Sequence, residues 1–61
     1  MLLRAVEKFL RENGIPPTRF GRESVRDPRL VHDLRNGREP GDRIKRRVEH
    51  FMNNYRRSMG Q

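Results

Sequence analysis

The stretch that decides the fold is Asp27-Pro28-Arg29-Leu30-Val31-His32-Asp33-Leu34-Arg35-Asn36-Gly37. It contains the start and stop signals of a short helix. Asp27 can cap a helix, Pro28 suits its first position, and Gly37 can adopt the left-handed conformation that ends it. We therefore predict a helix over residues 28–36.

The two faces of this helix carry different chemistry. Leu30, Val31 and Leu34 recur at helical spacing and should be buried together. The opposite face carries planar hydrogen-bonding groups on a short, rigid segment, so it can present donors and acceptors to a partner. Its side chains are Arg29, His32, Asp33 and Asn36.

Three further helices are predicted around this one. Apolar residues recur at helical spacing from Leu2 to Leu10, and Asn13-Gly14 then ends the first helix. Pro17 suits the first turn of a second helix, which Phe20 anchors in the core. Asp42 resembles the cap of a last helix, whose apolar stripe can close over that of the first. The sequence thus predicts one all-α domain over residues 1–57 with helices at 2–13, 17–24, 28–36 and 42–57, and a frayed tail at 58–61.

Local spacing gives two finer expectations. A glycine inside a helix costs about 1 kcal/mol relative to alanine, so Gly21 indicates that another helix crosses the second helix at close range. Glu7 and Arg11 lie one turn apart on the first helix and are predicted to pair.

The composition favours a polyanionic partner. The 61 residues include 15 basic and 8 acidic side chains, for a formal net charge of +7, and 13 of the 15 are arginine. Arginine forks onto phosphate oxygens and guanine edges, which lysine cannot do. The arginine bias therefore favours nucleic acid.

Several other classes of protein are disfavoured. The chain lacks cysteine and has only two histidines, so we expect no disulfide, no metal site and no cofactor. It shows neither a signal peptide nor a membrane span, so we expect a cytoplasmic, nucleoid-associated protein without a membrane partner. His32 and Asp33 diverge on a helix and no serine or cysteine is spaced to meet them, so we expect neither an enzyme nor a small-molecule substrate.

The second and third predicted helices resemble the helix-turn-helix of the Cro and lambda-type repressor (XRE-like) family. In that family a small residue in the first helix of the motif lies ten positions before a branched apolar residue of the recognition helix, and a leucine follows three positions later. Gly21, Val31 and Leu34 match this spacing. The family's linker after the recognition helix is matched by Gly37-Arg38 and Pro40.

The resemblance covers residues 1–55 and implies a compact four-helix domain of the lambda-repressor-like type. It also implies a small bacterial or phage regulator of transcription that binds double-stranded DNA, with helix 28–36 in the major groove. The family commonly has glycine in the turn where Val25 stands. We therefore expect a longer or differently shaped turn than the three residues 25–27.

This docking mode assigns roles to two groups of residues. The outward face of the recognition helix would contact base edges, and Arg29 suits the O6 and N7 atoms of guanine. The start of the second helix and the flanking arginines would contact phosphates. The candidates for base contact are Arg29, His32, Asp33 and Asn36, and those for phosphate contact are Thr18, Arg19, Arg22, Arg26, Arg35 and Arg38.

Each of these residues also has an interpretation that involves no DNA contact. Arg29 and His32 can be ordinary solvated side chains, Asp33 can orient Arg29, and Asn36 can simply help the helix to end. A second basic cluster, residues 43–47, can reach a phosphate, bind an acidic patch of a dimer partner, or keep the protein in solution.

The alternative function is a small helical protein-interaction module or antagonist that binds an acidic protein surface. A homodimer is compatible with either function, because a two-fold pair doubles the contact with DNA. Met52, Tyr55 and Met59 can supply apolar surface for it or, for the first two, belong to the core.

Overall fold

The computed structural model describes residues 2–59, with side chains for residues 2–58. Within this range the protein consists of helices and their connections, without a strand, which confirms the predicted all-α class. Its four helices are α1 (Leu2–Asn13), α2 (Pro17–Val25), α3 (Leu30–Arg35) and α4 (Asp42–Met59).

The boundaries differ from the predicted ones in three places. α2 ends at Val25, one residue later than predicted, and α3 spans 6 residues because it begins at Leu30 and ends at Arg35. α4 continues to Met59, so Ser58 and Met59 are helical rather than part of a frayed tail. The rest of the predicted tail, residues 60–61, lies outside the described residues.

Asp27 was predicted to cap the helix, but the cap residue of α3 is Arg29, and Asp27 instead closes the turn before it. Its Oδ1 accepts a hydrogen bond from the backbone N–H of Arg29 at 2.9 Å, and its carbonyl oxygen accepts one from Leu30 at 3.1 Å. That second bond spans three residues, and the first four-residue bond joins the N–H of Asp33 to the carbonyl of Arg29 at 2.8 Å. Pro28 and Arg29 therefore form a tight turn that leads into the helix.

Gly37 ends α3 in the way that its position predicts. It has φ +87°, and its N–H donates to the carbonyl of Leu34 at 3.1 Å. The next N–H, from Arg38, donates to the carbonyl of Asp33 at 3.0 Å. These two bonds form a Schellman motif and fix the direction in which the chain leaves α3.

The connection between α2 and α3 has the altered shape that was expected. Val25 stays helical and buried, and the left-handed residue is Arg26, with φ 60° and ψ 30°. This bend allows the N–H of Asp27 to donate to the carbonyl of Gly21 at 3.1 Å. The turn thus comprises residues 26–29.

The absent side chain of Gly21 makes room for this turn. A Cβ atom at position 21 would lie 2.2 Å from the carbonyl oxygen of Asp27 and 3.1 Å from the Cβ of Leu30. The close approach predicted from Gly21 is therefore present, but the turn before α3 contributes its nearest atom. Leu30 is the only one of these neighbours that belongs to a helix, so the predicted helix crossing is confirmed only for the Leu30 contact.

The cap of α4 was predicted one residue too late. Asp42 is the first helical residue, and the carbonyl oxygen of Gly41 accepts the hydrogen bond from the N–H of Lys45 at 3.0 Å. Gly41 therefore takes the cap position. Asp42 lies in the first turn, where its negative charge is favourable to the helix dipole.

A cluster of aromatic rings joins α1, α2 and α4. The ring of Phe9, which is fully buried, lies 5.5 Å from that of Phe20, 6.4 Å from Phe51 and 5.3 Å from Tyr55. The edge-to-face geometry of the Phe20 and Phe51 rings, 5.4 Å apart, adds attraction beyond the burial of area. The apolar stripe of α4 thus closes over α1, as its spacing predicts.

The apolar face of α3 completes this core. Leu30, Val31 and Leu34 are all buried, which confirms the predicted inner face. Met52 is buried as well, and Tyr55 is half-buried against Phe9, so both belong to the core. The side chain of Met59 lies outside the described residues.

Candidate nucleic-acid interface

The polar face of α3 forms a shallow depression with a volume of about 520 Å³. The tight turn at Pro28 brings Arg29 onto the face of the helix that follows it, and the Schellman motif turns Arg38 back beside the helix end. The lining residues are Arg29, His32, Asp33, Asn36 and Arg38. All four candidates for base contact and one candidate for phosphate contact are therefore brought together; we call this surface the α3 depression.

Side-chain contacts order one end of the α3 depression. The side-chain amide nitrogen of Asn36 lies 3.0 Å from Nε2 of His32, one turn earlier. When the amide donates, Nε2 is the acceptor of a neutral ring, and Asn36 keeps its oxygen and a second N–H for a partner. The pair therefore positions Asn36 without consuming its capacity for bidentate hydrogen bonding.

Asp33 differs from the other residues of the α3 depression. Arg29, His32 and Asn36 are exposed, whereas Asp33 is half-buried. Its backbone carbonyl also accepts hydrogen bonds from the N–H groups of Asn36 and Arg38. Asp33 therefore holds the chain at the end of α3 in addition to presenting a carboxylate.

Four of the candidates for phosphate contact are exposed without a side-chain role in the fold. Thr18 lies in the first turn of α2, whose cap residue Pro16 makes no side-chain hydrogen bond to that turn. The first N–H groups of a helix have no partner within it, so this end offers donors to an anion. Arg22, Arg26 and Arg38 complete this exposed set.

Arg19 and Arg35 are engaged by carboxylates. Nε of Arg19 lies 2.7 Å from Oε2 of Glu23, one turn later on α2. The hydrogen bond that Arg19 donates to this carboxylate, followed by the charge of Glu23, raises the pKa of the Arg19 guanidinium. The pair keeps Arg19 on the surface of α2, within an exposed and easily exchanged contact.

Arg35 points away from the α3 depression. Its Nε and one terminal nitrogen donate to the two carboxylate oxygens of Glu7 at 3.1 Å and 2.8 Å. The hydrogen bond from Arg35, with the charges of Arg35 and Arg11, lowers the pKa of Glu7, and Glu7 raises that of Arg35. The bidentate contact ties α3 to α1, and Glu7 bonds Arg35 in place of the predicted partner Arg11.

Two features of this surface were not predicted from the sequence. The Glu7–Arg35 contact joins residues 28 positions apart, so spacing along one helix gave no signal for it. Arg38 was predicted only as a phosphate contact, and its place among the candidates for base contact was not predicted. It lines the α3 depression and two neighbouring hollows beside Pro40.

We compared the chain with protein-family models, with curated protein sequences and with solved structures, and none of the three comparisons gave a match. None of the four described helices combines the length and the apolar character needed to cross a membrane. Among the described residues, no three acidic or histidine side chains are grouped to hold a metal ion.

Proposed function

We propose that this protein binds double-stranded DNA sequence-specifically and regulates transcription, with α3 as the recognition helix in the major groove. The observation that carries the proposal is the α3 depression. It gathers two arginines, a paired histidine and asparagine, and one carboxylate on α3 and the residues that flank it; α3 itself has 6 residues and is about 9 Å long. An α-helix, about 10–12 Å across with its side chains, fits a major groove about 12 Å wide.

The base contacts follow from the chemistry of each side chain. Arg29 presents the forked donors that suit guanine, and the amide of Asn36 offers the donor and acceptor that suit adenine. His32 positions Asn36 and adds a ring nitrogen, and Asp33 accepts from the amino group of cytosine or orients Arg29.

The proposed phosphate contacts surround this helix. Arg22 and Arg26 precede α3 and Arg38 follows it, and Thr18 and Arg19 lie at the open start of α2. Arg35 takes part only after leaving Glu7. The exposed arginines favour a polyanionic partner, and the planar donors of the helix favour a partner with a pattern of hydrogen-bonding groups. Duplex DNA has both properties.

The resemblance to the Cro and lambda-type repressor family supports the same proposal, and the structure offers reasons for the departures from its pattern. The family commonly has alanine at the position of Gly21, where this chain needs space for the carbonyl of Asp27. It commonly has glycine at the position of Val25, whereas here the left-handed residue is Arg26.

Selection of bound sequences from a random duplex pool tests the proposal. We expect an enriched motif, and its symmetry shows whether a dimer binds. Arg29→Ala should remove the preference at one base pair, where a bidentate contact is worth about 1–3 kcal/mol. Arg38→Ala should weaken binding to all sequences alike. Arg4→Ala, which removes the same charge from exposed α1, is the control and should leave the motif unchanged.

The selection, together with a retention assay on an acidic protein, separates DNA binding from binding to an acidic protein surface. A pool without any enriched motif, or an unchanged motif with Arg29→Ala, refutes the proposed role of α3. Retention of an acidic protein without retention of duplex DNA would instead favour the protein-interaction module.

A further inference from the structure

A second polar surface runs along α4. Residues separated by three, four or seven positions share one face of a helix. Six side chains of α4 follow this spacing, and all of them are exposed. They are Arg43, Arg46, Arg47, His50, Asn54 and Arg57, and we call this surface the α4 stripe.

The α4 stripe has one sign of charge. Its four arginines occupy one face, while the acidic residues Asp42 and Glu49 fall to one side of it. By contrast, the exposed cations of α1 are interspersed with Glu7 and Glu12. From residue 43 to residue 57 the stripe extends over about 21 Å.

The chemistry of the stripe selects among polyanionic partners. The apolar residues of α4 pack inward, as the rings of Phe51 and Tyr55 contact Phe9, so no apolar face is left to enter a membrane. The stripe also lacks the aromatic side chains that, together with arginine, anchor protein–protein interfaces. Guanidinium groups repeated along a line fit a row of phosphates.

The middle of the stripe repeats a feature of α3. The side-chain amide nitrogen of Asn54 lies 2.9 Å from Nε2 of His50, just as Asn36 lies 3.0 Å from His32. The pair places further hydrogen-bonding groups between Arg47 and Arg57. Donors therefore continue along the whole stripe.

We propose that the α4 stripe binds the sugar-phosphate backbone of duplex DNA, as a second surface separate from the α3 depression. This binding is independent of sequence and does not depend on the proposed function of α3. If its four arginines each contact a phosphate, the logarithm of the binding constant should fall against the logarithm of salt concentration with a slope of about −3.6.

The experiment measures binding of a fluorescent duplex of random sequence at several salt concentrations. The starting protein is Arg29→Ala/Arg38→Ala, which weakens the α3 depression, and it should still bind. Adding Arg43→Ala, Arg46→Ala and Arg47→Ala should lower affinity at least tenfold and make the slope less negative by about 2.7. The matched control adds Arg4→Ala, Lys8→Ala and Arg11→Ala, three cations at similar spacing on α1. Circular dichroism checks that each variant is folded.

The outcomes separate this proposal from the one on α3. If the α1 triple variant lowers affinity and slope as much as the α4 triple variant, net charge alone explains binding and the stripe is refuted. The proposal is also refuted if substituting these arginines lowers the affinity for an RNA duplex or for poly-glutamate more than the affinity for duplex DNA. If wild-type protein shows no sequence preference while the α4 variant loses duplex binding, the stripe stands and the role of α3 falls.

Discussion

Replacing Gly21 by alanine tests the contact that sets the position of α3. The new Cβ would lie 2.2 Å from the carbonyl oxygen of Asp27, 3.3 Å from its carbonyl carbon and 3.1 Å from the Cβ of Leu30. Since the nearest atom belongs to the backbone, rotating a side chain cannot relieve the clash. The turn and α2 must separate by about 1 Å to reach ordinary van der Waals distance.

The expected magnitude follows from three opposing effects. Overpacking of this kind costs about 1–3 kcal/mol or more. Separation also stretches the hydrogen bond from the N–H of Asp27 to the carbonyl of Gly21, now 3.1 Å, which is worth about 1 kcal/mol. Alanine regains about 1 kcal/mol through its helix propensity. The net destabilisation should be about 1–3 kcal/mol, and a domain of this size loses about 4–8 °C of Tm per kcal/mol.

Thermal and urea unfolding followed by circular dichroism measures this effect. Gly41→Ala is the matched control, because position 41 has no positive φ and a Cβ added there would meet no heavy atom within 4 Å. Its stability should change by less than about 1 kcal/mol. If Gly21→Ala is as stable as wild type or more so, the turn does not approach α2 as closely as described, and the explanation for this glycine is wrong.

Three other substitutions have expected outcomes that differ in sign. Arg26→Gly should stabilise the fold by about 1–2 kcal/mol, because it relieves a left-handed non-glycine residue, while Arg26→Ala should not; thermal unfolding compares them. Ser24→Ala should raise the free energy of unfolding by about 1 kcal/mol in urea titrations, because the buried Oγ has no hydrogen-bond partner; a loss of stability would contradict this. Because Arg35 lowers the pKa of Glu7, the ionised carboxylate stabilises the fold above the ordinary glutamate value of 4.5, and this contribution is lost as the pH falls through the lowered pKa. Glu7→Gln should therefore reduce the fall in Tm on acidification more than Glu12→Gln does. It should also tighten DNA binding more than Glu12→Gln does if Arg35 is released to a phosphate.

The parts of the fold that were predicted from sequence depend on local patterns. Apolar spacing located the inner faces of α1, α3 and α4, and Gly37 marked the end of α3 because only its positive φ permits the Schellman motif. The polar face of α3 followed from the same periodicity, since residues opposite a buried stripe must lie outward. This is why the four candidates for base contact emerge on one surface.

The parts that were not predicted depend on contacts between elements. The start of α3 at Leu30 arises because Asp27 closes a three-residue turn before the first regular helical bond. Glu7 pairs with Arg35 because α3 packs against α1, and no spacing within α1 reveals this contact. The left-handed residue also fell at Arg26 instead of Val25, because Val25 gains more by staying helical and buried in the core.

The connection between α2 and α3 links stability to the proposed function. A left-handed arginine costs about 1–2 kcal/mol relative to glycine, which is a large share of the stability available to 61 residues. Glycine at position 26 would remove this cost but also a guanidinium beside α3, the proposed recognition helix. Gly21 also carries a local cost, because glycine lowers the helix propensity of α2. It leaves space, however, for the turn that positions Arg29. The two residues together favour the presentation of charge over the most stable turn, as expected if this local backbone cost serves the proposed binding surface.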